Sequence, residues 1–144
     1  MTEEVNTKNA NFTIFLADDD EDDQELLKEA FTTIDSSINF YLVENGKEAL
    51  HYLKNLPPAS LPCLIVLDYN MPELNGAEVL KVIAGEEKFT DVPKVIWTTS
   101  NSEIHKDYCL SIGAYDYLVK PDNIRDIEKM ARRMLQYCKD NFVN

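Results

Sequence analysis

Five short apolar runs alternate with segments whose apolar residues recur at helical spacing, and this alternation restricts the fold more than any other feature of the chain. The apolar runs are strand candidates, at residues 12–17, 38–43, 63–67, 92–98 and 115–119. The helix candidates between them cover 20–34, 45–53, a segment after 76, 101–112 and a last segment from about 122. Strands that alternate with helices predict a parallel sheet with helices on both faces. We therefore expect an α/β fold built on a doubly wound, five-stranded parallel sheet.

The apolar spacing also predicts which side of each helix faces the sheet. In the first helix candidate the inner residues are Leu26, Leu27, Ala30, Phe31 and Ile34. In the last they are Ile124, Ile127, Ala131, Met134, Leu135 and Cys138. Asn45 is a favourable N-cap and Gly85 a C-terminal stop. The third strand candidate, CLIVL, is apolar throughout, which is typical of a strand covered on both faces.

The alternation of strands and helices predicts one domain at residues 12–144, preceded by a polar tail at 1–11. A length of 144 residues suits one domain with a substantial core and leaves no room for a second. The formal net charge of −12 argues against nucleic acid and membranes as partners. The N-terminus lacks a secretory signal, and no apolar run approaches the ~20 residues that span a bilayer, so we expect a cytoplasmic protein.

Three cysteines, Cys63, Cys109 and Cys138, form no Cys-x-x-Cys pair and have no neighbouring histidine. This usage is typical of a reducing compartment. We therefore expect three buried or incidental free thiols.

Polar residues follow four of the predicted strands at the point where each ends. They are Asp18, Asp19 and Asp20 after the first strand, Asp68 after the third, Thr98, Thr99 and Ser100 at the fourth, and Lys120 and Pro121 after the fifth. The carboxyl ends of parallel strands share one edge of the sheet, so these side chains are expected to face one crevice. The acids that come next, Glu21, Asp22 and Asp23, are explained more simply as the acidic first turn of a helix, with Asp20 as its N-cap.

The charges in this crevice predict a bound cation. Two carboxylates ~4 Å apart repel each other by ~4 kcal/mol at an effective dielectric of 20. Lys120 supplies a single positive charge, and ligands that are all oxygen favour a hard ion such as Mg²⁺. A metal, a lysine and a hydroxyl around one carboxylate form a site for a phosphoryl group, with Asp68 as the in-line nucleophile.

These residues resemble the receiver domains of two-component response regulators over nearly the whole chain. The resemblance rests on Asp18 and Asp19 after the first strand, on LDYNMPELNG (67–76), on WTTS (97–100) and on GAYDYLVKP (113–121). It implies a flavodoxin-like fold with strand order 2-1-3-4-5. It also implies a stand-alone regulator of the chemotaxis or phytochrome-associated kind, which phosphorylates and dephosphorylates itself but is not a turnover enzyme.

The resemblance assigns a role to each matching residue. Asp68 would accept phosphate from a sensor histidine kinase or a phosphotransfer protein. Asp19 would bind Mg²⁺ directly, Asp18 through water and Asn70 through its carbonyl, with Mn²⁺ as an alternative ion. Thr98 would be the switch hydroxyl, Lys120 the partner of the phosphoryl group and Tyr117 the aromatic residue coupled to Thr98.

Further residues would shape the site. Met71, Pro72 and Gly76 match the family's loop after the third strand, and the Lys120–Pro121 bond is typically cis. Thr99 replaces a small residue of the family, and its backbone N–H would still contact phosphate. Tyr69 either lines the entrance or is a surface aromatic.

The family signals through its fourth helix, fifth strand and fifth helix, which implies a downstream protein partner or a homodimer there. The residues in these segments are Ile104, His105, Tyr108, Tyr115, Tyr117, Arg125, Lys129, Arg132 and Arg133. The basic face of the last helix is either a docking surface or an ordinary solvated face. His105 has no partner in the sequence and is expected to be a surface residue.

Two other functions fit a similar sheet. An aspartate-nucleophile phosphohydrolase of the haloacid-dehalogenase kind usually needs an acid two residues after the nucleophile, and Asn70 occupies that position. A flavin or nucleotide carrier needs a phosphate-cradling loop, and none of the four glycines forms one.

Overall fold

Five strands and five α-helices alternate along residues 12–141, the part of the chain described by our computed structural model. The strands are β1 Thr13–Ala17, β2 Asn39–Val43, β3 Leu64–Leu67, β4 Lys94–Thr98 and β5 Asp116–Val119. The helices are α1 Glu21–Ile34, α2 Gly46–Lys54, α3 Gly76–Ala84, α4 Glu103–Ser111 and α5 Ile124–Asn141, with short 3-10 turns at Pro58–Ser60 and Glu87–Phe89. The predicted tail at 1–11 lies outside the described residues.

All four strand pairs of the sheet are parallel, and the order is β2-β1-β3-β4-β5. The predicted doubly wound fold and its strand order are therefore confirmed. Capping residues set the helix ends as expected, since the Asn45 side chain accepts from the N–H of Glu48 and Gly85 is the C-cap of α3. Asp20 caps α1 by accepting from the N–H of Asp23.

The sheet separates two apolar layers. Helices α1 and α5 pack on one face, around Leu27, Phe31 and Met134. Helices α2, α3 and α4 pack on the other, around Leu53, Leu80 and Cys109. All four residues of β3 are buried, as its uninterrupted apolar sequence predicts.

Two of the predicted inward residues are wrong. Leu26 is 41% exposed because it lies about 100° around α1 from Leu27, and the buried stripe instead continues back to the polar Gln24. Ile124 is 64% exposed because it begins α5, one turn before Ile127 reaches the sheet.

The expectation of three free thiols is also wrong. Cys63 and Cys138 form a disulfide, with Cα atoms 5.3 Å apart across a sequence separation of 75 residues. Cys63 directly precedes β3 and Cys138 lies on the buried side of α5, so the fold brings together two residues whose sequence positions suggest no pairing. Cys109 is free and buried, as predicted.

None of the helices within residues 12–141 is both long enough and apolar enough to span a bilayer.

Candidate functional site

The parallel register places the polar strand ends side by side. Ala17 of β1 pairs with Leu67 of β3, so Asp18 and Asp68, the next residues, lie at the same edge of the sheet. The backbone extends this alignment, since the N–H of Asp68 donates to the Ala17 carbonyl at 2.9 Å. The other side of the crevice is set in the same way, because the N–H of Lys120 donates to the Thr98 carbonyl at 2.7 Å.

Asp18, Asp19 and Asp68 together form a cluster of carboxylates. One oxygen from each lies within 4.8 Å of the others. Asp18 and Asp68 are buried, at 0% and 5% exposure, whereas Asp19 is exposed. Ligands that are all carboxylate oxygens, with one side open to solvent, fit a hard divalent cation.

Lys120 is the counter-charge of this cluster and uses all three of its donors. Its Nζ lies 2.7 Å from Asp18 Oδ2, 2.8 Å from Asp23 Oδ2 and 3.0 Å from Asp68 Oδ2. The sequence does not predict the contact with Asp23, because its position among the acids of a helix start already accounts for that residue. Asp23 does lie in that turn, but its side chain also reaches into the crevice.

The two buried carboxylates are held in the same manner. Asp18 Oδ1 accepts from the N–H of Asp20 at 3.0 Å, and Asp68 Oδ1 accepts from the N–H of Asn70 at 3.1 Å. In each case the other oxygen faces Lys120. These contacts fix both carboxylates with one oxygen directed towards the cluster. The carbonyl of Asn70 as a metal ligand stays a prediction.

Burial and charge act in opposite directions on the ionisable groups. Burial raises the pKa of Asp18 to about 7, against the lowering effect of its contact with Lys120. Burial lowers the pKa of Lys120, but its bonds to Asp18 and Asp23 outweigh this effect and leave the pKa well above its ordinary value. The site therefore keeps the lysine charged and disfavours ionisation of Asp18 in the absence of a cation.

A buried amide on α1 supports the base of the cluster. Gln24 Nε2 donates to the carbonyl of Asp18 at 2.8 Å and to that of Val43 at 2.7 Å. The side chain thus joins α1 to the ends of β1 and β2. Sequence reasoning missed this residue, since a glutamine among acids on a helix start gives no apolar signal.

The hydroxyl side of the crevice is built by β4 and β5. Thr98 is fully buried, and its Oγ1 accepts from the N–H of Ser100 at 3.3 Å. Tyr117 is 5% exposed, and its hydroxyl donates to the Ser100 carbonyl at 2.7 Å. Burial raises the pKa of Tyr117. The Thr99 side chain is exposed.

His105 contradicts the expectation of a surface residue without partners. Its ring is half-buried and stacks on Tyr69 with centroids 4.1 Å apart and planes 9° from parallel. Its Nδ1 lies in hydrogen-bond contact with Ser100 Oγ at 3.1 Å. Ser100 precedes His105 by only five residues, but Tyr69 lies on the separate loop after β3, so the local sequence does not reveal the stack.

The loop after β3 packs its backbone tightly against the acceptor strand. A Cβ at Gly76 would overlap the carbonyl oxygen of Asp68, so the position requires glycine. Met71 is buried below the loop and Pro72 is exposed. Glu73 adopts a positive φ of 73°, which turns the chain towards α3.

The expected cis bond between Lys120 and Pro121 is absent. No peptide bond within residues 12–141 is cis. The trans form is the intrinsically favoured isomer of an X–Pro bond, and here it coexists with the bonds that Lys120 makes in the crevice.

The predicted partner face combines exposed apolar and basic residues. Ile104 of α4 is 79% exposed, and Tyr108 and Tyr115 are 44% and 49% exposed. On α5, Arg133 is not a free cation, because it lies 3.1 Å from Asp116 Oδ2. Arg125, Lys129 and Arg132 are exposed. A docking role for this face stays a prediction.

Comparison with known proteins agrees with this geometry. The family model described as the response regulator receiver domain matches residues 14–132. Together with the strand order and the acidic crevice, this match shows that the chain belongs to the response regulator receiver domain family. Members of this family interact with histidine kinases or phosphotransfer proteins and bind divalent metal.

Individual relatives extend the comparison. Two-component response regulator ORR7 of Oryza sativa subsp. japonica is 38% identical over 94 residues, which cover 65% of this chain and 43% of the relative. The phosphorylated cyanobacterial phytochrome response regulator RcpA is 26% identical with a TM-score of 0.82, covering 92% of this chain and 97% of that one. The Mn²⁺-bound form of response regulator Rcp1 is 27% identical with a TM-score of 0.78, with the same coverage.

Proposed function

We propose that the protein is a phosphoacceptor switch in which Asp68 takes a phosphoryl group from a histidine kinase or phosphotransfer protein. The observation that carries the proposal is the contact of one ammonium, on Lys120, with the buried carboxylates of Asp18 and Asp68 at adjoining strand ends. A carboxylate beside a fixed ammonium, in a cluster of acids that could hold a divalent metal ion, suits nucleophilic attack on phosphorus.

Transfer of the phosphoryl group from phosphohistidine to Asp68 needs no further reactant. An Asp68 oxygen forms a bond to phosphorus as the phosphorus–nitrogen bond of a phosphohistidine breaks, and the electron pair leaves with the imidazole. Asp19, Asp68 and the Asn70 carbonyl, with Asp18 through water, would hold Mg²⁺, and the bound ion would supply positive charge for the phosphoryl oxygens. Lys120 would exchange its bond to Asp68 for one to the phosphoryl group. Thr98 and the Thr99 N–H would bind the remaining oxygens.

The output follows from the same residues. Movement of Thr98 towards the phosphoryl group would be transmitted through Ser100 to Tyr117, and so to the surface of α4, β5 and α5. The RcpA structure is that of a phosphorylated regulator, which supports this use of the fold. We propose that the protein acts in the cytoplasm, binds a downstream protein or a second copy of itself there, and has no turnover activity on other substrates.

Incubation with acetyl phosphate and Mg²⁺, followed by intact-mass spectrometry, tests the proposal. We expect one added phosphoryl group that hydroxylamine removes. Asp68→Asn should abolish the addition, whereas the control Asp22→Asn, at an exposed position on α1, should retain it. Equal labelling of wild type and Asp68→Asn would contradict the assignment. A phosphohydrolase would instead release phosphate catalytically from a general phosphate ester, and Asn70 argues against that outcome.

A further inference from the structure

Ser100 is the centre of a small hydrogen-bond network beside the acceptor. Its N–H donates to Thr98 Oγ1, its carbonyl accepts from the Tyr117 hydroxyl, and its own hydroxyl contacts His105 Nδ1. The flanking residues Thr99 and Asn101 are exposed. The position of Ser100 therefore depends on these few contacts and not on packing of the loop itself.

His105 connects this loop to the one that follows β3. It lies in the first turn of α4, where its N–H donates to the capping hydroxyl of Ser102 at 3.3 Å. One side of its ring faces Ser100, and its plane stacks on Tyr69, the residue next to Asp68. A single side chain thus bridges the two loops that border the acceptor.

We propose that His105 is a positioning residue that holds Ser100 in the place where its carbonyl keeps the Tyr117 ring buried. Tyr117 lies on the edge strand β5, and the polar contact that anchors its hydroxyl is made to the Ser100 carbonyl. Since Ser100 is itself held by His105, the state of Tyr117 depends on His105 through Ser100. The signalling consequence rests on the proposed function, whereas the positioning itself does not.

The test uses the unphosphorylated 144-residue chain. Amide hydrogen exchange at Ser100 and the NMR signals of the Tyr117 ring report the two linked positions. His105→Ala removes both the stack and the bond to Ser100, and we expect roughly tenfold faster exchange at Ser100 and a shift of the Tyr117 ring signals towards solvent-exposed values. The matched control His51→Ala removes an exposed histidine on α2 and should leave both readouts unchanged.

Three variants separate the contacts. His105→Phe keeps a ring to stack on Tyr69 but loses the hydrogen bond to Ser100. His105→Gln keeps a polar group but loses the ring. Both should change the two readouts by less than His105→Ala does. Ser100→Ala removes only the hydroxyl and should resemble His105→Phe, which keeps the test available if His105→Ala fails to fold. Unchanged readouts in His105→Ala, or complete rescue by His105→Phe, would overturn the inference.

Acetyl phosphate labelling of the same proteins distinguishes the two proposals. If wild-type Asp68 takes no phosphoryl group, the proposed function fails while the exchange and NMR results still decide the role of His105. If labelling is normal and the readouts at Ser100 and Tyr117 do not respond to the variants, the positioning role alone is overturned.

Discussion

Asp18 Oδ2 lies 2.7 Å from Lys120 Nζ, although the two residues are 102 positions apart in the chain. The Asp18 side chain is fully buried and that of Lys120 nearly so, with side-chain exposures of 0% and 8%. A buried ion pair of this kind contributes little net stability, because desolvation offsets most of the attraction. Its consequence is that the charge state of Asp18 controls what the crevice can bind.

Binding of Mg²⁺ is expected to strengthen as pH rises from about 6 to about 8. The folded pKa of Asp18, about 7, lies above its unfolded value of 3.8, so the native state binds more protons between these values. Deprotonation of Asp18 therefore lowers the stability of the metal-free protein as pH rises from 3.8 to about 7. The raised pKa of Lys120 contributes stability that is fully present below its unfolded value of 10.5 and is lost only as pH rises above that value.

Melting temperatures measured across a Mg²⁺ titration at several pH values check this, because stabilisation follows RT ln(1 + [L]/Kd). The variant Asp18→Asn should show a flatter pH dependence of the apparent affinity. A melting temperature that does not change with Mg²⁺ concentration at pH 8 would argue against the metal site.

Removal of one clustered charge should stabilise the metal-free protein. Asp68→Asn leaves Lys120 paired with Asp18 and Asp23 while it relieves carboxylate repulsion. We expect a melting temperature higher by roughly 3–6 °C, which corresponds to about 1–2 kcal/mol for a chain of this size. Glu25→Gln removes an exposed charge from α1 and should change the melting temperature by less than about 1 °C. A clear fall for Asp68→Asn would show that its bond to Lys120 outweighs the repulsion.

The sequence predicts the strand ends well because their position depends on local periodicity. Each apolar run ends at a polar residue, and parallel pairing then places Asp18, Asp68 and Lys120 together whatever the details of packing. The side-chain partners of Gln24 and His105 depend on how the start of a helix sits against the strand ends and loops beside it. Spacing along the chain carries no information on such contacts.

The same distinction explains the wrong expectations. Leu26 belongs to the apolar residues of α1, but the face of the helix that is buried is narrower than the set of its apolar residues. The pairing of Cys63 with Cys138 depends on where the end of α5 crosses the start of β3, which periodicity does not determine.

Gln24→Ala is expected to destabilise the protein by about 1–3 kcal/mol, because it leaves the buried carbonyl of Asp18 without this donor and opens a small cavity. Chemical denaturation measures the loss. Gln136→Ala is the matched control, since Gln136 is exposed and its side chain donates to Asp140 one turn away. It should cost less than about 0.5 kcal/mol. Equal effects of both substitutions would refute a role for Gln24 in joining α1 to the sheet.

Gly76→Ala is expected to disturb the acceptor loop, since the added Cβ would overlap the backbone carbonyl of Asp68. Backbone atoms cannot yield as a flexible side chain does, so we expect a loss of about 2 kcal/mol or more. Gly85→Ala is the control, because an added Cβ there meets ordinary contacts, at 3.5 Å from the Val82 carbonyl. That substitution should stabilise the protein by about 0.4–1 kcal/mol. Comparable losses in the two variants would show that the contact with Asp68 is not the cause.

Reduction of the disulfide between Cys63 and Cys138 should lower the free energy of unfolding by at most about 4.5 kcal/mol, because the bond closes a long loop in the unfolded chain. Urea denaturation with and without a reductant measures this difference. Cys63→Ser should reproduce the loss and should no longer respond to the reductant, whereas the free thiol of Cys109 is irrelevant to that response. Thiol labelling of protein trapped rapidly from cells and then denatured shows which form occurs there. Two protected cysteines mean that the disulfide is present in the cell. Three reactive thiols mean that the protein functions there without the stability that the disulfide contributes. The prediction would be contradicted if mass spectrometry shows that the disulfide has been reduced but the free energy of unfolding of the wild type is unchanged.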